Sequence, residues 1–457
     1  MHRVTKRVWI VVLFILILVG GMTFFLVDYS MNAAKWVSFT GSPHVYNKSN
    51  LGYGTVCDRS GAVLLDTTDG RAYSENDTIR KSTVHWLGDR QGNISAAALA
   101  SYAGHMAGFD KVNGIYAYGG EQGQATLTLS GQIQAVALES LGKRKGTVAV
   151  YNYLTGEILC AVTTPNFDPD NPPDIAGDTS GAYEGLYLNR FLQSTYPPGS
   201  IFKLVTTAAA LDSLDNAREL EFRCRGYYDM DGGRVKCSGE HGKITLERAM
   251  RKSCNCYFAQ LTEELGAETL QQYVEQFQVT QPIEFDGITT AKGNFDIAGA
   301  MDQEIAWAGI GQHHDTVNPC RYMTFLGAIA GGGEAAQPYI VESAGAKLFG
   351  SHRASRTSTG RIMAKETAEA IAELLRNNVE NQYGDENFPG LTVCAKTGTA
   401  EVGGGKEPNA TFAGFCSDRK YPLAFMVVVE DAGSGSKTCI PIMSEVLAAC
   451  KELMDSE

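Results

Sequence analysis

Basic stripes interleaved with aromatic side chains are absent from the 457 residues, and acidic groups outnumber basic ones, 51 to 39, for a formal net charge of −12. That excludes nucleic acid as an expected partner. Charged residues make up only 20% and hydrophobic ones 44%, the balance of an ordinary globular protein, with length enough for two domains and a large core. Also lacking is an Ala-x-Ala cleavage site after the 20 uncharged residues Val8 to Val27. A helix of that length spans roughly 30 Å, the thickness of a bilayer core. His2, Arg3, Lys6 and Arg7 precede it. A retained anchor is therefore expected, with a short cytoplasmic N-terminus and the rest exported. With only about seven residues before the anchor, no cytoplasmic signalling part is expected.

Cysteine is not scarce. Its count of eleven is odd, so at least one thiol stays unpaired or pairs between chains. Cys224 and Cys237 bracket a Gly-rich, charged loop and could form a disulfide. With His241 they could also bind a metal, but three candidate ligands fall short of a full set. Cys254 and Cys256 flank Asn255 and read as small buried hydrophobes. Most thiols are expected to be buried and reduced, in surroundings that are not strongly oxidising. His85 and His105 are isolated and read as structural or surface residues.

Residues 29 to 126 are turn-rich, with strand-like pieces such as Gly61 to Asp66 and no catalytic constellation. A strand pattern at Thr126–Ser130 leads into a helix at Gln132–Leu141, followed by strands at Gly146–Tyr151 and Glu157–Thr163. The chain then reads as largely helical to about Gly311, with a further helix at Met363–Asn377. Strands return at Leu391–Thr399, Ala410–Phe415 and Leu423–Val429, before a closing helix at Ile442–Leu453. Strands, a helical middle, strands and a final helix imply an α+β fold: one antiparallel sheet with helices on both sides.

The chemistry-bearing stretch is Tyr196-Pro-Pro-Gly-Ser-Ile-Phe-Lys203, a turn running into an apolar helical pattern. It sets Ser200 at a helix start, where free N–H groups favour developing negative charge, with Lys203 one turn later on the same face. Serine and lysine so placed can act as nucleophile and base if the lysine is neutral. Ser-x-x-Lys also occurs at Ser140, Ser417 and Ser434, so spacing alone does not choose. Context does. Ser253-Cys-Asn255 follows downstream, and Lys396-Thr397-Gly398-Thr399 carries the chain's one Lys-Ser/Thr-Gly sequence. This ordered triplet is shared by β-lactamases and penicillin-binding proteins.

Longer phrases extend the match. Gly146-Thr-Val-Ala-Val, Thr155-Gly-Glu-Ile-Leu, Pro165-Asn-Phe-Asp-Pro169, Asn189-Arg190 and Ala395-Lys-Thr-Gly-Thr-Ala-Glu401 resemble the class B penicillin-binding proteins, the cell-division and elongation transpeptidases of peptidoglycan. Gly54-Thr-Val-Cys-Asp-Arg-Ser-Gly61 resembles the family's opening motif, with Tyr53 where an arginine is usual. The resemblance implies a penicillin-recognising fold with a five-stranded antiparallel sheet. It divides the chain into a cytoplasmic stub and anchor at 1–28, a small N-terminal pedestal at 29–138 and a transpeptidase domain at 139–457.

It also implies roles. Ser200 would attack a D-Ala-D-Ala stem peptide and Lys203 would be its base. Ser253 would pass a proton to the leaving amine and Asn255 would hold the stem-peptide amide. Lys396 would keep Lys203 neutral and, with Thr397 and Thr399, bind the substrate carboxylate. Gly398 leaves room for close approach, and the N–H groups of Ser200 and Thr399 would form the oxyanion hole. No metal or cofactor is implied. Expected partners are peptidoglycan stem peptides, β-lactam antibiotics, the membrane and a separate glycosyltransferase, since about a hundred residues between anchor and catalytic domain are too few for one. Three alternatives are a D,D-carboxypeptidase, a β-lactamase and a non-enzymatic penicillin-binding receptor or scaffold. Against the β-lactamase, no Glu-x-x-Leu-Asn lies between Ser253 and Lys396 to hold a deacylating water.

Overall fold

The computed structural model describes all residues except 1, 38, 40–41, 43–44, 48–49, 53, 69, 110–111, 115–121, 347–348 and 457. Tyr53 thus lies outside the described residues. The uncharged run forms the middle of one helix, His2–Val37, which is long and apolar enough to cross a membrane.

Two sheets organise the chain beyond this helix. The first has five antiparallel strands in the spatial order Val393–Ala400, Asn409–Cys416, Leu423–Val429, Gly146–Asn152, Ile158–Thr164. Every residue of the last four strands is buried. Successive side chains point to opposite faces of a strand. Val148 and Val150 accordingly enter one core with Phe412, Phe425 and Val427, while Ala149 and Tyr151 enter the other with Phe415 and Met426. Helices Gly131–Leu141 and Gly435–Ser456 cover the first face, and Pro319–Ala330 packs on the second. The α+β class, with one antiparallel sheet between helical layers, is as the sequence pattern implied.

A second, six-stranded sheet runs Phe349–Arg353, Val341–Ala346, Gln124–Leu127, Thr55–Cys57, Val63–Asp66, Ala72–Tyr73, with the pair Thr55–Cys57 and Gln124–Leu127 parallel. Two of its strands come from the far side of the catalytic segment in sequence. The opening motif closes a tight turn here. Asp58 Oδ1 accepts from the Ser60 and Ala62 N–H groups, and its Oδ2 accepts from Gly131 N–H at 3.0 Å, tying this sheet to a helix of the first.

The stretch after the serine helix departs from expectation. It holds four short strands, Glu221–Cys224, Tyr227–Met230, Gly233–Lys236 and Gly242–Thr245, where a largely helical segment was expected. Asp231-Gly232 closes a two-residue hairpin between Met230 and Gly233, with Gly232 at φ 85°, a conformation that glycine adopts without steric cost. Local turn chemistry overrode the helical pattern. Helix resumes at Leu246–Lys252 and Asn255–Leu265.

Candidate active site

Ser200 sits in a 3-10 turn, Gly199–Phe202, that feeds directly into the α-helix Lys203–Ser213. The regular helix thus begins three residues later than the sequence pattern suggested. The turn lies against the edge strand carrying Lys-Thr-Gly. Gly199 adopts φ 55°, and a Cβ there would fall 2.7 Å from Thr399 O, so only glycine allows this approach. Gly199 N–H donates to Gly311 O at 2.8 Å, anchoring the turn from the other side.

The helix buries Lys203 completely and carries its amine to a polar centre. Lys203 Nζ lies 3.1 Å from Ser200 Oγ, 2.8 Å from Ser253 O, 3.1 Å from Ser253 Oγ and 2.7 Å from Asn255 Oδ1. An ammonium has three N–H donors, and four neighbours exceed them. A neutral amine can meet three of them, with two N–H groups donating to the acceptor-only Ser253 O and Asn255 Oδ1 and the lone pair left for a serine hydroxyl. Burial pushes Lys203 down to about 7, and the nearby Lys396 charge acts in the same sense. Phe258 lies beneath, its ring centre 5.4 Å from Nζ.

Lys396 is equally buried and burial pushes it, too, down to about 7. Its Nζ donates to Ser253 Oγ at 3.1 Å and Thr397 O at 2.8 Å. Ser253 Oγ therefore bridges the two lysines. Only Lys203 reaches Ser200, so geometry separates roles that similar proton affinities do not. Ser253 is placed by the end of helix Leu246–Lys252, in a left-handed conformation (φ 50°, ψ 43°) that costs a non-glycine residue free energy and persists only when its surroundings hold it. Asn255 Nδ2 donates to Lys236 O at 3.0 Å, so both ends of this amide are engaged.

Lys396 to Thr399 lie on the edge strand, in register with Ala413 to Ala410 of its neighbour. Beside Gly398 are Pro198 O and Ile201, a close approach a larger residue would disturb. Sequence reading missed Tyr383, whose hydroxyl accepts from Thr397 N–H at 3.1 Å and lies 3.0 Å from Thr397 Oγ1. It ends a helix with no motif around it, and nothing local marks it. A cleft of about 820 Å3 opens beside the site, between Tyr196-Pro197 and the Glu401–Gly404 turn, with Arg190, His313 and Glu430 on its walls.

The other Ser-x-x-Lys serines stand elsewhere. Ser140 Oγ donates to Val136 O at 2.8 Å, Ser417 Oγ donates to Thr392 O, and Ser434 Oγ contacts Ser436 Oγ. None joins the Ser253–Lys396 network.

This fold, with a serine hydroxyl 3.1 Å from a buried lysine amine, defines a serine acyltransferase. Residues 146–448 match the family "Penicillin binding protein transpeptidase domain", and the chain belongs to it. It is a class B penicillin-binding protein with a serine transpeptidase domain. The "Peptidoglycan D,D-transpeptidase PbpA" of Mycolicibacterium smegmatis is 28% identical over 366 residues, covering 72% of each chain. The solved D,D-transpeptidase domain of a peptidoglycan glycosyltransferase from Eggerthella lenta has 26% identity and a TM-score of 0.73, covering 89% of this chain and 99% of that one. A ceftriaxone acyl-enzyme complex of M. tuberculosis penicillin-binding protein A superposes at TM-score 0.75 over 87% of this chain and 98% of that one. At 24% identity it supports the fold.

Proposed function

We propose that this chain is a membrane-anchored D,D-transpeptidase that cross-links peptidoglycan stem peptides through an acyl-enzyme at Ser200. The observation that carries the proposal is the 3.1 Å contact between Ser200 Oγ and the buried Lys203 amine. Ser200 Oγ attacks the carbonyl of the penultimate D-Ala while its proton passes to Lys203 Nζ. The proton then moves through Ser253 Oγ to the departing amine, the C–N bond breaks and D-Ala leaves. In the second half, an acceptor amine attacks the ester carbonyl, the bond to Oγ breaks and Ser200 recovers a proton.

Lys396, Thr397 and Thr399 hold the substrate carboxylate at the strand edge, and the N–H groups of Ser200 and Thr399 receive the oxyanion. Asn255, with both ends of its amide engaged, contributes by positioning Lys203 as well as by facing the stem peptide. Names of relatives support the substrate class: peptidoglycan D,D-transpeptidases recur among them. Domain limits at 29–138 and 139–457, the outward-facing catalytic domain and a separate glycosyltransferase partner belong to the same proposal.

Labelling with a fluorescent penicillin followed by intact mass and peptide mapping tests it. A long-lived adduct on Ser200 is expected, because the drug presents a strained amide and a carboxylate to the same groups. An adduct on another serine refutes the assignment, and one lost within seconds favours a β-lactamase. For topology, external protease on cells stripped of their wall should digest the catalytic domain; its protection would overturn the outward orientation.

A further inference from the structure

The edge strand Val393–Ala400 shows alternate residues to its neighbour and to the outside. Ser417 N–H donates to Thr392 O at 2.9 Å, so the even-numbered residues face the sheet. Val393, Ala395, Thr397 and Thr399 turn their backbone groups outward. One segment meets these groups in order: helix Lys365–Asn378 with the π-helical turn Val379–Tyr383 that ends it. Arg376 Nη1 donates to Val393 O at 2.8 Å, and Asn378 Nδ2 donates to Ala395 O at 3.2 Å. Tyr383 Oη then accepts from Thr397 N–H at 3.1 Å, and Lys396 Nζ donates to Thr397 O at 2.8 Å. Thr399 is the first outward residue this segment does not reach. No hydrogen bond from the described residues meets its outward N–H.

Tyr383 closes a π turn, in which Gly384 N–H donates to Val379 O at 2.8 Å. Such turns are rare and often mark functional sites. The ring is buried and packs edge-on against Phe412, with centres 5.9 Å apart. Burial pushes the phenol's pKa up, so it keeps its proton. Its oxygen lies 3.0 Å from Thr397 Oγ1. Since that oxygen accepts from the amide, the phenol's own proton has Thr397 Oγ1 as its acceptor; left unpaired in the core it would cost free energy. Thr397 Oγ1 thus accepts, and its own hydrogen is free to donate elsewhere. A carboxylate can only accept.

We propose that Tyr383 is a positioning residue for carboxylate recognition. Its phenol holds the Thr397 hydroxyl as a donor toward the substrate's terminal carboxylate. By occupying the Thr397 N–H it also leaves Thr399 as the outward N–H of the Lys-Thr-Gly-Thr run that is open to an acyl oxygen. Without the phenol, an oxygen could settle at Thr397, roughly 7 Å along the strand from Thr399. This inference deepens the proposed function, which puts the carboxylate at Thr397, and rests on it.

The test acylates the full chain in detergent with penicillin G and with its methyl ester, which lacks the carboxylate. Tyr383→Phe keeps the ring and removes the hydroxyl. Wild type should favour the free acid, and Tyr383→Phe should cut that preference about tenfold, the scale of one hydrogen bond to an ion. The loss should fall on the half-saturating concentration more than on the limiting rate. Thr397→Val should lose the preference too, and adding Tyr383→Phe to it should cost little more, because the two act as one unit. A purely structural role slows acid and ester alike, so an unchanged acid-to-ester ratio, or additive losses, would overturn the proposal. Should Tyr383→Phe not fold, residue-resolved hydrogen exchange on the wild type still decides: the Thr397 amide should be protected and the Thr399 amide should not. A Thr397 amide that exchanges as fast as that of Thr399 would overturn it. If the wild type takes no penicillin, the proposed function fails and this inference with it. Normal labelling with an unchanged ratio in Tyr383→Phe sinks this inference alone.

Discussion

Lys203 and Lys396 at the catalytic edge contrast with Arg80 in the helix Asp77–Leu87, which lies between the two sheets. The two lysines are fully buried, and Arg80 is partly buried. Arg80 is met by a carboxylate, with Nε donating to Asp168 Oδ1 at 2.7 Å and the terminal nitrogen to Oδ2 at 2.6 Å. Each partner holds the other in its charged form, so Arg80 shifts up and Asp168 down. The two lysines have only hydroxyl, carbonyl and amide partners among the described residues, and both shift down. A partly buried cation with a carboxylate fastens two segments together. One without it gives up its proton easily, which is what a general base requires.

The sharpest way to test that contrast is to remove the nucleophile. Ser200→Ala should abolish the penicillin adduct in intact mass spectra, while Ser140→Ala, Ser417→Ala and Ser434→Ala should label like wild type. Next in size, Lys203→Ala should slow acylation on the order of 10²–10⁴-fold through loss of the base. Stopped-flow measurement would show it, and a rate within a few-fold of wild type would return Lys203 to a structural role.

The pH profile comes third. Lys203 is active when neutral, and its affinity for protons is lowered to about 7. On the acid side of about pH 7 acylation should therefore fall about tenfold per unit as the amine becomes protonated, while above it the loss of charge on Lys396, also lowered to about 7, opposes any further rise. A rate still climbing at pH 9 would mean the amine keeps its ordinary basicity.

The smallest effect is expected at the other cation. Asp168→Asn keeps the shape but removes the charge opposite Arg80, whose ion pair retains some solvent contact, with side chains 14% and 17% exposed. A loss of about 1–2 kcal/mol in unfolding free energy is expected after allowing for solvent screening, with acylation unchanged. A large fall in acylation would show that the two regions are not separable.

Much of the site was legible because its parts are short and local. Ser200 and Lys203 lie one turn apart, Ser253 and Asn255 flank one residue, and Lys396 to Thr399 are contiguous. The strands Gly146–Asn152 and Leu423–Val429 were legible as apolar, β-branched runs because both faces are buried. The hairpins between 221 and 245 were not, since their residues are mostly exposed and leave little apolar pattern to read.

The sequence by itself pointed to the Ser200–Lys203 pair, the family and the place of an apolar helix long enough to cross a membrane, through residue types at fixed short spacings. Tertiary structure alone decided the rest: that Lys203 is buried without a carboxylate, that Ser253 bridges two lysines, that Tyr383 supports Thr397, and that Cys254 meets His241. Strands near 341 and 349 likewise join a sheet begun at Thr55. Each of these depends on segments distant in the chain meeting in space, and such meetings leave no periodicity behind in the order of residues.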